Sequence, residues 1–172
     1  MSAVNSHLVL VLGGARSGKS RFAEGRIAAR PPPWTYIATA EALDDEIRDR
    51  IERHRAGRSA GWTNVEAPHE LAEAIRAADP RAPVLVDCLT LWLTNVLLAG
   101  EDLDAATAAL ARTLAAPRGP WVVVSNETGL GIVPDNALAR RFRDAQGILN
   151  QRVAAVADRV ILTVAGIPLE VK

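Results

Sequence analysis

The sequence predicts an α/β protein with a mostly parallel sheet and helices on both of its faces. Three observations carry that expectation. Short apolar runs rich in Val, Leu and Ile alternate with helix-patterned segments along the chain, which is the pattern of strand–helix–strand units. The first run ends in Gly13-Gly14-Ala15-Arg16-Ser17-Gly18-Lys19-Ser20, which fits the phosphate-binding pattern G-x-x-x-x-G-K-[ST] between a strand and a helix. And 172 residues without a repeat or low-complexity linker make one domain with a real core, so residues 1–172 are taken as a single unit.

Taken in order, His7 to Leu12 is a buried strand stopped by the two glycines, and Gly18 to Arg30 a helix. Pro31-Pro32-Pro33 turns the chain into a second strand, Trp34 to Thr39. Asp44 to Arg58 is a charged helix with Ile47 and Ile51 four apart. Trp62 to Glu66 is a short third strand. Pro68, favoured at a first helical position, opens a helix to about Ala78. Pro83 to Asp87 is a strand buried on both faces. Leu89 to Ala99 and Asp104 to Ala116 are helices separated by Gly100. Trp121 to Ser125 is a strand, Asp135 to Ala157 a long helix and Arg159 to Val164 the last strand, before a short tail at Ile167 to Val171. In such a sheet, ligands bind at the carboxyl ends of the strands.

Composition narrows the function. Twenty Lys+Arg balance 20 Asp+Glu, and this neutrality argues against a nucleic-acid binder, which needs excess cations to displace counterions. The longest apolar runs are far shorter than the ~20 residues of a membrane span. A single cysteine and a start without a signal-peptide pattern make the cytoplasm the expected compartment. All basic residues but Lys19 and Lys172 are arginine, so the lysine in the glycine-rich loop stands out.

The chemistry of that loop follows from its residue types. Glycines let the backbone curl so that successive N–H groups point at phosphate oxygens, and the helix start adds partial positive charge. Lys19 then reaches the β and γ phosphates of a nucleotide, and Ser20 is a ligand for Mg²⁺. A second carboxylate at a neighbouring strand end completes such a metal site, and Asp87 closes an apolar strand; the competing reading makes Asp87 the cap of the helix that follows. His7 and His69 have solvated or capping settings. His54, three residues after Ile51, turns toward the packed face and lies in Arg53-His54-Arg55-Ala56-Gly57-Arg58. Arginines favour a neutral, nucleophilic imidazole and hold phosphate oxygens, whereas the plainer reading is a solvated face laced by pairs such as Glu46 with Arg50. Ser125 to Pro134, a polar glycine-containing stretch after a strand, offers Glu127 as a base or metal ligand, or is simply a long turn.

Taken together, the loop at 13–20, Tyr36-Ile37-Ala38-Thr39-Ala40, Asp44-Asp45-Glu46 with Arg50, Ile51 and His54, Trp62 to Glu66, Thr94-Asn95, Ser125 to Pro134 and Asn150-Gln151-Arg152 carry a resemblance. The chain resembles the bifunctional adenosylcobinamide kinase / adenosylcobinamide-phosphate guanylyltransferase family of cobalamin biosynthesis, from about His7 to Lys172. The resemblance implies a P-loop NTPase of the RecA-like kind and a homotrimer. It implies phosphorylation of adenosylcobinamide by ATP or GTP with Mg²⁺, then transfer of GMP from GTP to adenosylcobinamide phosphate through a GMP-histidine intermediate, which places the histidine at His54. It also implies nucleotide contacts from Ala38, Thr39, Ala40, Arg55, Ala56, Gly57, Arg58, Glu66 and Asp87, besides the loop residues.

Overall fold

Residues 7–41 and 60–172 are described by the computed structural model. Along the chain they form β1 (Leu8–Gly13), α1 (Lys19–Ala28), β2 (Trp34–Ala38), β3 (Trp62–Glu66), α2 (Leu71–Ala77), β4 (Val84–Asp87), α3 (Leu89–Leu98), α4 (Leu103–Leu114), β5 (Trp121–Asn126), α5 (Ala137–Val156), β6 (Arg159–Val164) and β7 (Ile167–Glu170). The expected helix over Asp44 to Arg58 lies outside the described residues.

The strands make one seven-stranded sheet in the order β3-β2-β4-β5-β1-β6-β7, parallel except for β7, which runs antiparallel to β6. The central strands are apolar along most of their length because both faces are covered, and turn polar only at their carboxyl ends, at Asp87 of β4 and Ser125-Asn126 of β5. In β1, Leu8 and Leu10 enter a core shared with α2 to α5, while Val9 and Val11 enter a second core with Ala23 and Ile27 of α1. Alternation along one strand thus builds two hydrophobic layers. Among the described residues, α1 covers one face and α2 to α5 the other. None of the described helices is long and apolar enough to cross a membrane.

Two boundaries depart from the sequence expectation for identifiable reasons. Pro68 does not open α2, which starts at Leu71. The carbonyls of Pro68 and His69 accept side-chain hydrogen bonds from Asn95 Nδ2 (3.0 Å) and Trp92 Nε1 (2.8 Å) of α3, so they serve tertiary packing and no helical ladder. The C-terminal segment is no tail but a strand. Ala165 and Gly166 have φ of 51° and 81°, and a two-residue turn with both central residues left-handed matches the twist of the hairpin it closes. Arg159 and Glu170 pair across it at 2.6 Å.

Thr39, just beyond β2, fixes the edge on which a ligand would sit. It is fully enclosed; its hydroxyl donates to the Cys88 carbonyl (2.6 Å) and accepts from the Cys88 amide (2.9 Å). Its own amide bonds the Asp87 carbonyl and its carbonyl takes Asn95 Nδ2. Thr39→Val, nearly the same in shape, strands a buried donor and a buried acceptor. We expect a loss on the order of 2–4 kcal/mol, visible as a Tm lower by roughly 5–10 °C in thermal unfolding without ligand.

Candidate functional site: a phosphate-binding loop and its carboxylate

The glycine-rich loop joins β1 to α1 as its pattern requires. Gly13 closes β1, and a Cβ there would stand 2.8 Å from the Thr163 carbonyl and collide with the side chains of Ser17 and Thr163. Gly18 has φ 93° and occupies the cap position of α1; a Cβ there would meet the Gly166 Cα at 3.1 Å. No larger residue fits either position. Inside the loop, the Ser17 amide bonds the Gly14 carbonyl at 3.3 Å and Lys19 Nζ donates to the same carbonyl at 3.1 Å, which folds the ammonium over the loop. Arg16 is left-handed at φ 54° and its residue is exposed, as are Gly14 and Ala15.

The outer side of the loop is braced by neighbours. Thr163 Oγ1 donates to the Leu12 carbonyl (3.0 Å) and so accepts from Ser17 Oγ (2.8 Å). Gly166 N–H donates to the Ser17 carbonyl (2.8 Å) and Glu127 N–H to the Gly13 carbonyl (3.1 Å). The brace from the β6–β7 hairpin is what sequence reasoning missed. Its signal was faint, since Ala165-Gly166 offers a glycine at only one of the two left-handed positions of the turn.

Asp87 closes β4 and faces the start of α1. One carboxylate oxygen accepts from the Tyr36 hydroxyl at 2.8 Å, and the other stands 3.5 Å from Ser20 Oγ. The helix that follows is capped at Cys88, without a side-chain cap hydrogen bond, so the capping reading of Asp87 is not what the structure holds. Ala38, paired with Asp87 on one side and Glu66 on the other, puts all three residues in one row at the carboxyl edge. Thr39 reaches this edge with its backbone alone, because its hydroxyl is spent on Cys88. Ala40 is half-buried just beyond it. His54, Arg55, Ala56, Gly57 and Arg58 lie outside the described residues. Glu41, just before that stretch, binds His69 at 2.8 Å, and Glu101 stands 3.4 Å from the other nitrogen of the same ring.

At the end of β5, Ser125 and Asn126 are held by an enclosed polar network. Ser125 Oγ donates to Asn150 Oδ1 (2.7 Å), Gln146 Nε2 donates to both, and Asn150 Nδ2 bonds the Asn126 carbonyl (3.0 Å). The carboxylate of Glu127 accepts the Gly129 amide at 2.5 Å, which is the turn-forming reading of this segment; Arg143 and Arg140 then tie the carbonyls of Gly129, Pro134 and Asp135.

Fold and loop define an α/β protein of the P-loop class. A protein of Pyrococcus horikoshii aligns over 96% of this chain and 86% of its own with a TM-score of 0.54 at 10% identity. An ATPase of a bacterial type III secretion system aligns over 91% of this chain and 50% of its own with a TM-score of 0.55 at 13% identity. Sequence gives the family: the model of the cobinamide kinase / cobinamide phosphate guanyltransferase family matches residues 9–171, and the chain belongs to that family. It is 49% identical to the bifunctional adenosylcobalamin biosynthesis protein CobP of Pseudomonas aeruginosa, covering 95% of this chain and 96% of that protein. It is 44% identical to the CobU protein of Salmonella typhimurium, covering 96% and 99%.

Beside Asp87, burial first and the neighbouring carboxylate second push the Cys88 thiol above its ordinary value of 9.0. The enclosed thiol therefore stays neutral and poorly reactive. We expect iodoacetamide at pH 8.5 to modify the native protein far more slowly than the urea-unfolded chain. A folded pKa above the unfolded one also means that its stabilising contribution is complete below about pH 9 and is lost as pH rises through the folded value. Cys88→Ser should flatten that alkaline slope in urea melts.

Proposed function

We propose that this protein phosphorylates adenosylcobinamide with ATP or GTP and then transfers GMP from GTP to the product, giving adenosylcobinamide-GDP. The observation that carries this is the family match over residues 9–171, joined to a P-loop whose lysine, serine and facing aspartate stand together at one strand edge. In the first step the hydroxyl oxygen of the aminopropanol arm bonds to the γ-phosphorus. The bond from that phosphorus to the bridging oxygen breaks, its electron pair leaves with the nucleoside diphosphate, and the hydroxyl proton passes to solvent. The loop amides and Lys19 bind the phosphates and meet the charge that shifts onto the leaving oxygen.

The donor set beside the loop fits Mg²⁺. The hydroxyl of Ser20 and the carboxylate of Asp87 are hard oxygen donors 3.5 Å apart, and together they would hold the cation. When bound there, the ion supplies neutralisation of the β- and γ-phosphate charge. The Tyr36 hydroxyl fixes the rotamer of Asp87 for that task.

In the second step a ring nitrogen of His54 attacks the α-phosphorus of GTP and pyrophosphate leaves with the electron pair of the broken P–O bond. A phosphate oxygen of the corrinoid then takes the phosphorus from nitrogen, and the imidazole is free again. Residues Ala38, Ala40, Arg55 to Arg58 and Glu66 line the nucleotide in this reading, and Thr39 meets it through its backbone. The working form is a homotrimer in the cytoplasm.

Two variants separate the steps. Lys19→Ala should lower the kinase rate by roughly 10²-fold or more with an unchanged melting curve, as a charge on the transferring phosphoryl group is lost. His54→Ala should abolish labelling of the protein by GTP carrying isotope at the α-phosphorus while keeping much of the kinase step. The wild-type label should be lost in acid, survive alkali and be discharged by adenosylcobinamide phosphate. A label that persists in His54→Ala would refute the assigned nucleophile.

A further inference from the structure

Asn126 ends β5, and β5 lies between the strand that feeds the P-loop and the strand that ends in Asp87. Residues paired across a parallel sheet present their side chains to the same face. Asp87 pairs with Val124, and Gly13 pairs with Asn126, so Asn126 stands on the face of Asp87, one step nearer the carboxyl edge and beside the first loop glycine. That is the face of α1, since Val122 and Val124 pack with Ala23 and Ile27.

The backbone of Asn126 is gripped on both sides. Its N–H donates to Thr90 Oγ1 (2.8 Å), and its carbonyl accepts from Asn150 Nδ2 (3.0 Å). The side chain is treated differently: Oδ1 is enclosed and takes no hydrogen bond from the described residues. An unspent buried acceptor costs roughly 1–3 kcal/mol, and an apolar residue would avoid that cost. The two carboxylates nearest this corner each have another partner. Asp87 accepts from Tyr36 and faces Ser20, and Glu127 Oε1 accepts the Gly129 amide. Phosphates find donors in the loop amides and Lys19, whereas an incoming hydroxyl needs an acceptor to aim its lone pair.

Resting on the kinase reading above, we propose that the Asn126 carboxamide holds the acceptor hydroxyl of the kinase step. Oδ1 accepts the hydroxyl's hydrogen bond, and a turn about the soft terminal torsion of the side chain brings it toward the γ-phosphoryl group. The carboxamide takes no proton. The new bond joins hydroxyl oxygen to γ-phosphorus, the bridging P–O bond breaks toward the nucleoside diphosphate, and the proton leaves through a transferred phosphoryl oxygen to solvent. GMP-adduct formation uses no hydroxyl acceptor and does not need this contact.

Two measurements on Asn126→Ala and Asn126→Ser test this: kinase kcat and nucleotide KM with adenosylcobinamide, and adduct formation from α-labelled GTP without corrinoid. We expect alanine to lower kinase kcat about 30- to 100-fold, with nucleotide KM and the adduct rate within about threefold of wild type. Serine, which keeps an acceptor oxygen, should recover part of the loss. If alanine melts early, the serine variant decides, and it must lose kinase kcat while keeping the adduct rate. Kinase activity within about threefold of wild type in both variants, or equal loss of both activities in a well-folded variant, overturns the role of Asn126 alone. A wild-type protein that cannot phosphorylate adenosylcobinamide overturns it together with the kinase reading.

Discussion

A phosphate cradle made of main-chain N–H groups has no side chains of its own to keep its shape, and most of this structure can be understood as supplying what the cradle lacks. To leave its amides free for an anion, the loop must have its carbonyls satisfied from outside. Gly13 is met by the Glu127 amide, Leu12 by the Thr163 hydroxyl and Ser17 by the Gly166 amide, while Gly14 is met within the loop by Ser17 and Lys19. Those partners come from both neighbours of β1 and from the turn beyond one of them. The central place of β1, flanked by β5 and β6, thus bears directly on the function of the loop.

The same constraint accounts for the glycines. Gly13 faces Ser17 and Thr163, and Gly18 faces Gly166, so the loop approaches β6 and the β6–β7 turn where its own glycines have no room for a side chain. Loop closure therefore depends on a hairpin at the far end of the sequence. The charged end of β4 is handled by similar means: Tyr36 donates to Asp87, and the adjoining thiol is kept neutral by burial and by that carboxylate. The Asp87 side chain is thus held in place at the strand edge, where the start of α1 offers partial positive charge.

What the sequence made legible follows from periodicity and from special backbone needs. Strands buried on both faces announced themselves as unbroken apolar runs, and all six of the expected strands are present within a residue or so at each end. The P-loop was legible because its chemistry dictates glycines, lysine and serine at fixed spacing. Three things were hidden. Pro68 pointed to a helix start, but side chains of α3 claimed the carbonyls. Ile167 to Val171 is too short and too exposed to announce a strand, and its partner lies across a turn whose left-handed Ala165 the sequence does not favour. The task of the Thr39 hydroxyl, which ties the residue after β2 to Cys88 after β4, has no signature in the sequence.

The polar network under β5 has no counterpart in sequence pattern, because Gln146 and Asn150 occupy helix positions that face a hydrophobic core. Gln146 and Ser125 are fully enclosed, and an apolar set of equal volume would pack there without the risk of unsatisfied atoms. What apolar packing could not supply is direction. Hydrogen bonds from Gln146 through Ser125 and Asn150 end on the Asn126 carbonyl, while Thr90 takes the amide of the same residue. An isolated strand end frays and lets its last side chain wander. Here α3 and α5 each contribute one polar side chain to the last peptide groups of β5, so the side chain beside Gly13 springs from a fixed backbone. Polar groups buried under β5 thereby set the position of a side chain at the carboxyl edge of the sheet, beside the first glycine of the loop.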